Sequence, residues 1–420
     1  MMLVGFAAYA VLGLAGHALT PRDYAAVASL YLLTVIVGPG IFIAVEQETS
    51  REVSSRLAAG LGTQPVVRSA SLLSTLLAVL LMLMLLALSP VLVTRVFDGA
   101  WSLLAAALVA VAGSASVSVL RGMFAGQRRY GWYAGALAAE GLGRLVPTAI
   151  VLAVGASVGG FGFAFALGTV LATVAIVGGT RRGTAGPTVS LPKMGGSITL
   201  LACASGLTLL VANLAPVVLT SRLIDDPRTA ASFVSLFVLA RLPLFFFGPI
   251  QAFLLPSVTD TLARGEITLI RTRIRNVIIS VVAIGLLGAA FIALLGPWAA
   301  QVFFAAPMSL STLVAGLLGT STVMMMLAQV LQPTLVALGN HRMTTAAWIA
   351  GALAFLVLLF SPQDPLVAAV TAQFVGPVIV VTIMALALRS AYRQQSLRIA
   401  ASANPSGSGP QYGELAPPKW

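Results

Sequence analysis

Read as alternating apolar and polar stretches, the chain is a series of apolar runs, many of about 18–25 residues, broken by short polar segments. Wound as α-helix at about 1.5 Å per residue, each run matches a hydrocarbon layer about 30 Å thick. Lipid offers no partner to backbone N–H and C=O groups, so such runs are predicted to be helices. The two-residue alternation of barrel strands is absent. Twelve spans are predicted, at roughly 2–18, 24–45, 67–89, 100–120, 132–155, 160–179, 197–217, 229–255, 276–296, 310–337, 343–361 and 365–388. The first begins almost at Met1 but lacks a basic lead and an A-x-A site, so it reads as a span and not as a cleaved signal. A lost cytoplasmic lead, or a misassigned start codon, is compatible with that position.

Composition agrees. The chain is 59% hydrophobic and 9% charged, with a mean hydropathy of +1.00, above the roughly 45–50% apolar content of soluble domains. A net charge of +12 raises the question of nucleic acid, and the placement of the charges answers it. Of the 24 basic residues, eighteen fall in the polar segments on the side of the N-terminus. Four (Arg22, Arg95, Arg222, Arg228) fall in the opposite segments, and Arg144 and Arg241 lie within spans. This asymmetry predicts a multi-pass protein of the cytoplasmic membrane with both termini cytoplasmic. Membrane lipid, and no nucleic acid, accounts for the excess charge.

Little in the chain suggests catalysis. The single cysteine, Cys203, stands in an apolar run and reads as buried packing. His17 and His341 are far apart with no H-E-x-x-H or C-x-x-C context, so no metal or cofactor is called for. No G-x-S-x-G, Walker A or dinucleotide fingerprint follows a strand pattern, and the protein is read as no enzyme.

Weak echoes recur in order. "ASLYLL" (Ala28–Leu33) returns as "VSLFVL" (Val234–Leu239), "SPVLVTRVF" as "GPWAAQVFF", "GQRRY" as "GNHRM", and "AGALA" (Ala134–Ala138) again at Ala350–Ala354, at offsets of 206 to 216. The expected fold is all-α and polytopic, with two parallel, pseudo-symmetric six-helix lobes around a central cavity. The expected partition is 1–180, a basic Gly/Pro-rich cytoplasmic linker over 181–196, 197–388, and a cytoplasmic, disordered tail over 389–420.

Two six-helix lobes suit the major facilitator group, but its Gly-x-x-x-Asp-Arg-type loop after the second span is missing. "LTPRDYAAVASLYLLTVIVGPGIFIAVEQETSR" (Leu19–Arg51) and "RGMFAGQRRYGWYAGALAAEGLGRL" (Arg121–Leu145) instead resemble polysaccharide exporters. They look like the Wzx-type O-antigen flippases of the multidrug/oligosaccharidyl-lipid/polysaccharide (MOP) exporter superfamily. The resemblance is clearest over roughly residues 15–150. It implies flipping of a polyprenyl-pyrophosphate-linked saccharide, with glycosyltransferases or a polysaccharide polymerase as partners. Rival readings are another cargo in the same architecture, such as a drug or peptidoglycan precursor, and a non-transporting scaffold for glycan assembly.

Several charged residues are candidates for this work. "VEQETSREVSSR" (Val45–Arg56) concentrates five charges after the second span. It reads either as a solvated collar or as a cytoplasmic gate, in which Glu46 and Glu48 beside Arg51 engage Arg121, Arg128 or Arg129. Glu140 and Arg144, one turn apart in the fifth span, read either as a self-neutralising pair or as a proton-coupling carboxylate beside a substrate ligand. Arg241 lies near the middle of the eighth span with no carboxylate in its own helix. It is the leading substrate-binding candidate, with Arg144 and Asn213 as further substrate-binding candidates; in the alternative reading Asn213 or Glu140 is its structural partner. Pro39 with Gly38 in span two, and Pro243, Gly248, Pro249 and Pro256 in span eight, are predicted to break those helices. The runs Met324–Met326 and Phe245–Phe247 read as lipid-facing or packing.

Overall fold

The computed structural model describes residues 2–180, 184–244, 267–337 and 340–403, and these are helical with no strand among them. Thirteen helices are numbered here: α1 (Met2–Ala18), α2 (Pro21–Val35), α3 (Ile41–Ala58), α4 (Gln64–Ala87), α5 (Trp101–Gly126), α6 (Tyr130–Val154), α7 (Val158–Val177), α8 (Leu191–Arg222), α9 (Pro227–Ala240), α10 (Ile267–Phe304), α11 (Thr312–Ala337), α12 (His341–Leu359) and α13 (Pro365–Ala403). A π turn, Ile36–Gly40, joins α2 to α3. Among the described residues ten helices are long and apolar enough to cross a membrane, and Leu3–Ala18 is a shorter apolar one. The chain is thus a polytopic all-α membrane protein.

The helices start inside or just before the predicted spans, and several overrun them. α3 continues through the charged segment to Ala58. α13 runs past Arg393 to Ala403, where a disordered tail was expected. Hydropathy ends where lipid ends, but Glu, Gln, Arg and Ala still favour helix beyond it. The expected linker is also shorter, because α8 already begins at Leu191. Gly248, Pro249, Pro256 and Phe245–Phe247 lie outside the described residues.

Two helices are enclosed on every side. α2 is buried at each residue from Tyr24 to Thr34, and α9 at each from Ala230 to Ala240. Apolar all round, each sits at the centre of the bundle. By contrast Leu80, Leu83, Leu287 and Leu294 stand out from α4 and α10, where acyl chains would cover them. Both central helices start alike. Thr20 accepts the N–H of Asp23 with Pro21 following it, and Asp226 accepts the N–H of Thr229 with Pro227 following it. The two caps are 206 residues apart (226 − 20). Regular geometry then fails after 15 residues in α2 and 14 in α9. In the first case Pro39 has no N–H for Val35 and Gly38 takes φ −96°, ψ −111°.

Helices α1–α7 pack mainly on one another, as α6 on α7, α5 on α7 and α3 on α5. Helices α8–α13 do likewise, as α10 on α11 and α12 on α13. The two sets meet where α1, α2 and α3 face α8, α9 and α10. One end of the bundle gathers Arg22, Asp98 and Ile224: Arg22 lies 3.7 Å from Asp98 and donates to the Ile224 carbonyl at 3.2 Å. The other end gathers residues 54–64, 126–132, 178–180 and 184–188, through Ser54 to Gly126 O, Arg129 to Gly179 O and Arg56 to Pro187 O. These polar segments are therefore sorted onto two ends.

Candidate functional site

Where the two sets meet, a cavity of about 210 Å³ opens, room for about seven waters at roughly 30 Å³ each. Tyr9 of α1 and Tyr31, Leu32 and Val35 of α2 line one side. Thr208, Leu209, Ala212 and Asn213 of α8, Val238, Arg241 and Leu244 around the end of α9, and Met325 and Gln329 of α11 line the other. No Asp or Glu is among these residues.

Arg241 is the cation in this cavity. It caps the C-terminus of α9, its N–H donating to Val238 O. Unpaired carbonyls there carry partial negative charge, which favours a cation. The side chain is 7% exposed. Nη2 donates to Ala212 O at 3.0 Å, the guanidinium lies 4.8 Å from the centre of the Phe237 ring, and Nη1 has no hydrogen-bond partner. Neither Asn213 nor Glu140 is its partner among the described residues. Asn213 lines the same cavity and gives Nδ2 to Leu209 O at 3.1 Å. Tyr9 donates its hydroxyl across the two sets, to Val238 O at 2.8 Å. An arginine held by a carbonyl and a ring, with a donor unfilled and no anion beside it among the described residues, is arranged to receive an oxyanion.

Glu140 and Arg144 lie elsewhere, inside the first set of helices. Arg144 Nη2 donates to Glu140 Oε1 at 2.5 Å, Arg121 Nη1 donates to Glu140 Oε2 at 3.1 Å, and Arg121 Nε lies 3.0 Å from Glu46 Oε2. Tyr133 donates to Glu46 at 2.8 Å. Glu140, Arg144 and Arg121 are 2%, 4% and 8% exposed. Two carboxylates and two guanidiniums make the cluster neutral, which is how buried charges are retained. Gly122 lets α5 approach this closely, since a Cβ there would lie 2.6 Å from Glu46 O. Arg144 is not among the residues lining the Arg241 cavity, but the two sites are linked. Its guanidinium lies 4.4 Å from the Phe165 ring centre, and Phe165 meets Tyr31 of the cavity edge-on at 5.0 Å.

Of the basic residues weighed as gate partners for the carboxylates, Arg121 makes the ion pair, and it is buried in a helix and not exposed in a loop. Arg129 donates to Gly179 O at 2.7 Å and lies over the rings of Phe124 and Trp132. Arg128 takes a φ of 57° at the turn after α5. Glu48, only 3% exposed, is gripped by Arg51 at 2.9 and 2.7 Å. The collar is therefore partly a buried network. Cys203 is exposed, contrary to expectation. Met325 and Met326 are buried, and Met325 lines the Arg241 cavity.

Sequence reasoning placed Arg56 in the charged collar and missed its hold on the linker. Its Nη1 donates to Gly62 O at 3.2 Å and Pro187 O at 2.7 Å, and Nη2 to Thr188 O at 3.2 Å, tying the linker down. It also missed Tyr9, Tyr31 and Pro216; a proline inside an apolar run was the available signal for the last.

Neither a protein-family model nor a curated protein matches the chain. Solved structures do. A multidrug resistance MATE family transporter of the MOP superfamily in an inward-facing conformation aligns with TM-score 0.71 at 18% identity, over 97% of this chain and 96% of that one. An outward-facing conformation of such a transporter gives 0.61 at 17%, over 96% and 95%. The eukaryotic MATE transporter AtDTX14 gives 0.66 at 14%, over 94% and 95%. At these identities the likeness is one of fold, and this chain has the fold of MATE transporters of the MOP superfamily.

Proposed function

We propose that the protein is a flippase of the cytoplasmic membrane that moves a polyprenyl-pyrophosphate-linked oligosaccharide, a cell-surface polysaccharide precursor, outward by alternating access. The observation that carries this reading is Arg241, a buried guanidinium with an unfilled Nη1 in a cavity whose described lining holds no acid. An isolated arginine deep in a bilayer costs at least about 2.5–3.5 kcal/mol on insertion scales, and a bound anion offsets this. A cationic drug would instead be repelled there. The cavity admits a pyrophosphate head but not a whole glycan. The saccharide therefore crosses when the two lobes part, while the polyprenyl tail stays in lipid.

With the termini cytoplasmic, the end carrying Arg22 faces outward. Side-chain hydrogen bonds join the sets toward that end: Arg22 to Ile224 O, Ser29 to Thr220 at 3.1 Å and Ser235 to Tyr24 at 3.2 Å. This favours an inward-facing state, in keeping with the higher TM-score of the inward-facing MATE structure. Glu140, which serves two arginines, is the proposed proton-coupling group; protonating it would leave the cluster with a net positive charge and loosen α5 from α6. One charge crossing 100 mV supplies about 2.3 kcal/mol, enough to bias a cycle.

The test is a deletion strain complemented with variants. Lipid-linked glycan should accumulate in the inner leaflet without the gene and with Arg241→Ala, and less with Arg241→Lys. Drug sensitivity with normal surface polysaccharide would favour drug export, and normal glycan export with Arg241→Ala would favour a scaffold.

A further inference from the structure

A proline within a helix has no N–H for the carbonyl four residues earlier, and its ring crowds that carbonyl. Pro216 is buried inside α8, so Ala212 O lacks its helical donor. That same carbonyl receives Arg241 Nη2 at 3.0 Å from another helix. The guanidinium is a rigid planar fork. Once Nη2 is fixed on Ala212 O and one face rests on Phe237, the direction of Nη1 is fixed as well. Nη1 is the atom without a partner, and Ala212 and Arg241 both line the cavity.

We infer that Pro216 is a positioning residue for anion binding: by freeing the Ala212 carbonyl it anchors one arm of Arg241 and aims the other at an oxyanion. The inference rests on the anionic-cargo reading given above. An alanine at 216 would return an N–H to compete for Ala212 O. A carbonyl has two lone pairs, so the anchor would be weakened and not abolished.

The experiment uses the full chain in detergent and farnesyl pyrophosphate as the probe, with affinities from calorimetry. Pro216→Ala should bind roughly ten-fold more weakly than the wild type, the scale of one hydrogen bond to a charged group. In an Arg241→Lys background, where no fork remains to be aimed, the same change should alter affinity by less than about two-fold. Should Pro216→Ala fail to purify as a monodisperse protein, Pro216→Gly returns the same N–H and carries the same comparison. Wild-type affinity in the proline variant, or an equal loss in both backgrounds, would overturn the inference while leaving the anionic-cargo reading intact. A wild-type protein that does not bind the probe would overturn both.

Discussion

Gly13 and Gly16 of α1 press on the backbone at the end of α10. A Cβ at position 16 would lie 2.1 Å from Phe304 O and 2.8 Å from its carbonyl carbon, and one at position 13 would lie 2.8 Å from Phe303 O. Non-bonded carbon atoms settle at about 3.5–4.0 Å, and a backbone carbonyl cannot swing aside as a side chain can, so Gly16→Ala must part the helices by roughly 1 Å. Such overpacking costs about 1–3 kcal/mol. α1 and α10 belong to opposite sets, so only the state in which they touch bears that cost. The closed-outside population should fall relative to the open one by a factor of about 5–150. The assay replaces Cys203 with Ala, places a reporter cysteine at Ser29, which sits 3.1 Å from Thr220, and follows labelling by a membrane-impermeant maleimide from the outer side. Labelling should be faster by that factor with Gly16→Ala. Unchanged labelling in a protein that has merely lost thermal stability would mean that the glycine seam packs the bundle without controlling its opening.

Three other outcomes follow from the contacts. Glu140→Gln leaves Arg144 without its carboxylate and Arg121 with only Glu46, so it should destabilise by about 3–5 kcal/mol, whereas Asp98→Asn, whose pair with Arg22 is exposed on both sides, should stay within about 1 kcal/mol; unfolding midpoints in detergent compare them. Asp226 caps α9, and the hydrogen bonds from Thr229 lower its pKa. Its stabilisation is therefore complete above the unfolded value of about 3.9 and is lost as pH falls through the lower folded value; Asp226→Ala should cost about 0.5–2 kcal/mol and remove that acid-side step from hydrogen exchange at residues 228–230. Arg56→Ala releases three carbonyls of the turn and linker, and limited proteolysis should then cut the 184–188 segment faster while Arg51→Ala does not change it.

Much of the fold could be read from the apolar runs alone, because the membrane leaves helix as the economical way to satisfy the backbone. Overruns at α3 and α13 escaped that reading, since hydropathy marks where lipid stops and not where helical hydrogen bonding stops. The echo of "ASLYLL" in "VSLFVL" located the two central helices, and its offset pairs Val35 with Arg241 (241 − 35 = 206). Both residues line the cavity. Arg241 could be singled out because an arginine inside an apolar run demands a partner. Its actual holders could not, since a proline-freed carbonyl on α8 and a ring one turn back on α9 form a site only after packing. The same holds for Arg121: in sequence it borders a loop, and in three dimensions it bridges Glu46 and Glu140, which are 94 residues apart (140 − 46).

The central claim is that an anionic lipid head crosses the membrane beside Arg241. It is tested most directly by reconstituting the protein in liposomes and timing the flipping of a fluorescent polyprenyl-pyrophosphate disaccharide. Wild type should speed flipping, Arg241→Lys should act more slowly, and Arg241→Ala should lose at least about ten-fold of the rate. Flipping at the wild-type rate by Arg241→Ala, or a wild type that moves a lipophilic cation and leaves the lipid-linked sugar in place, would contradict it.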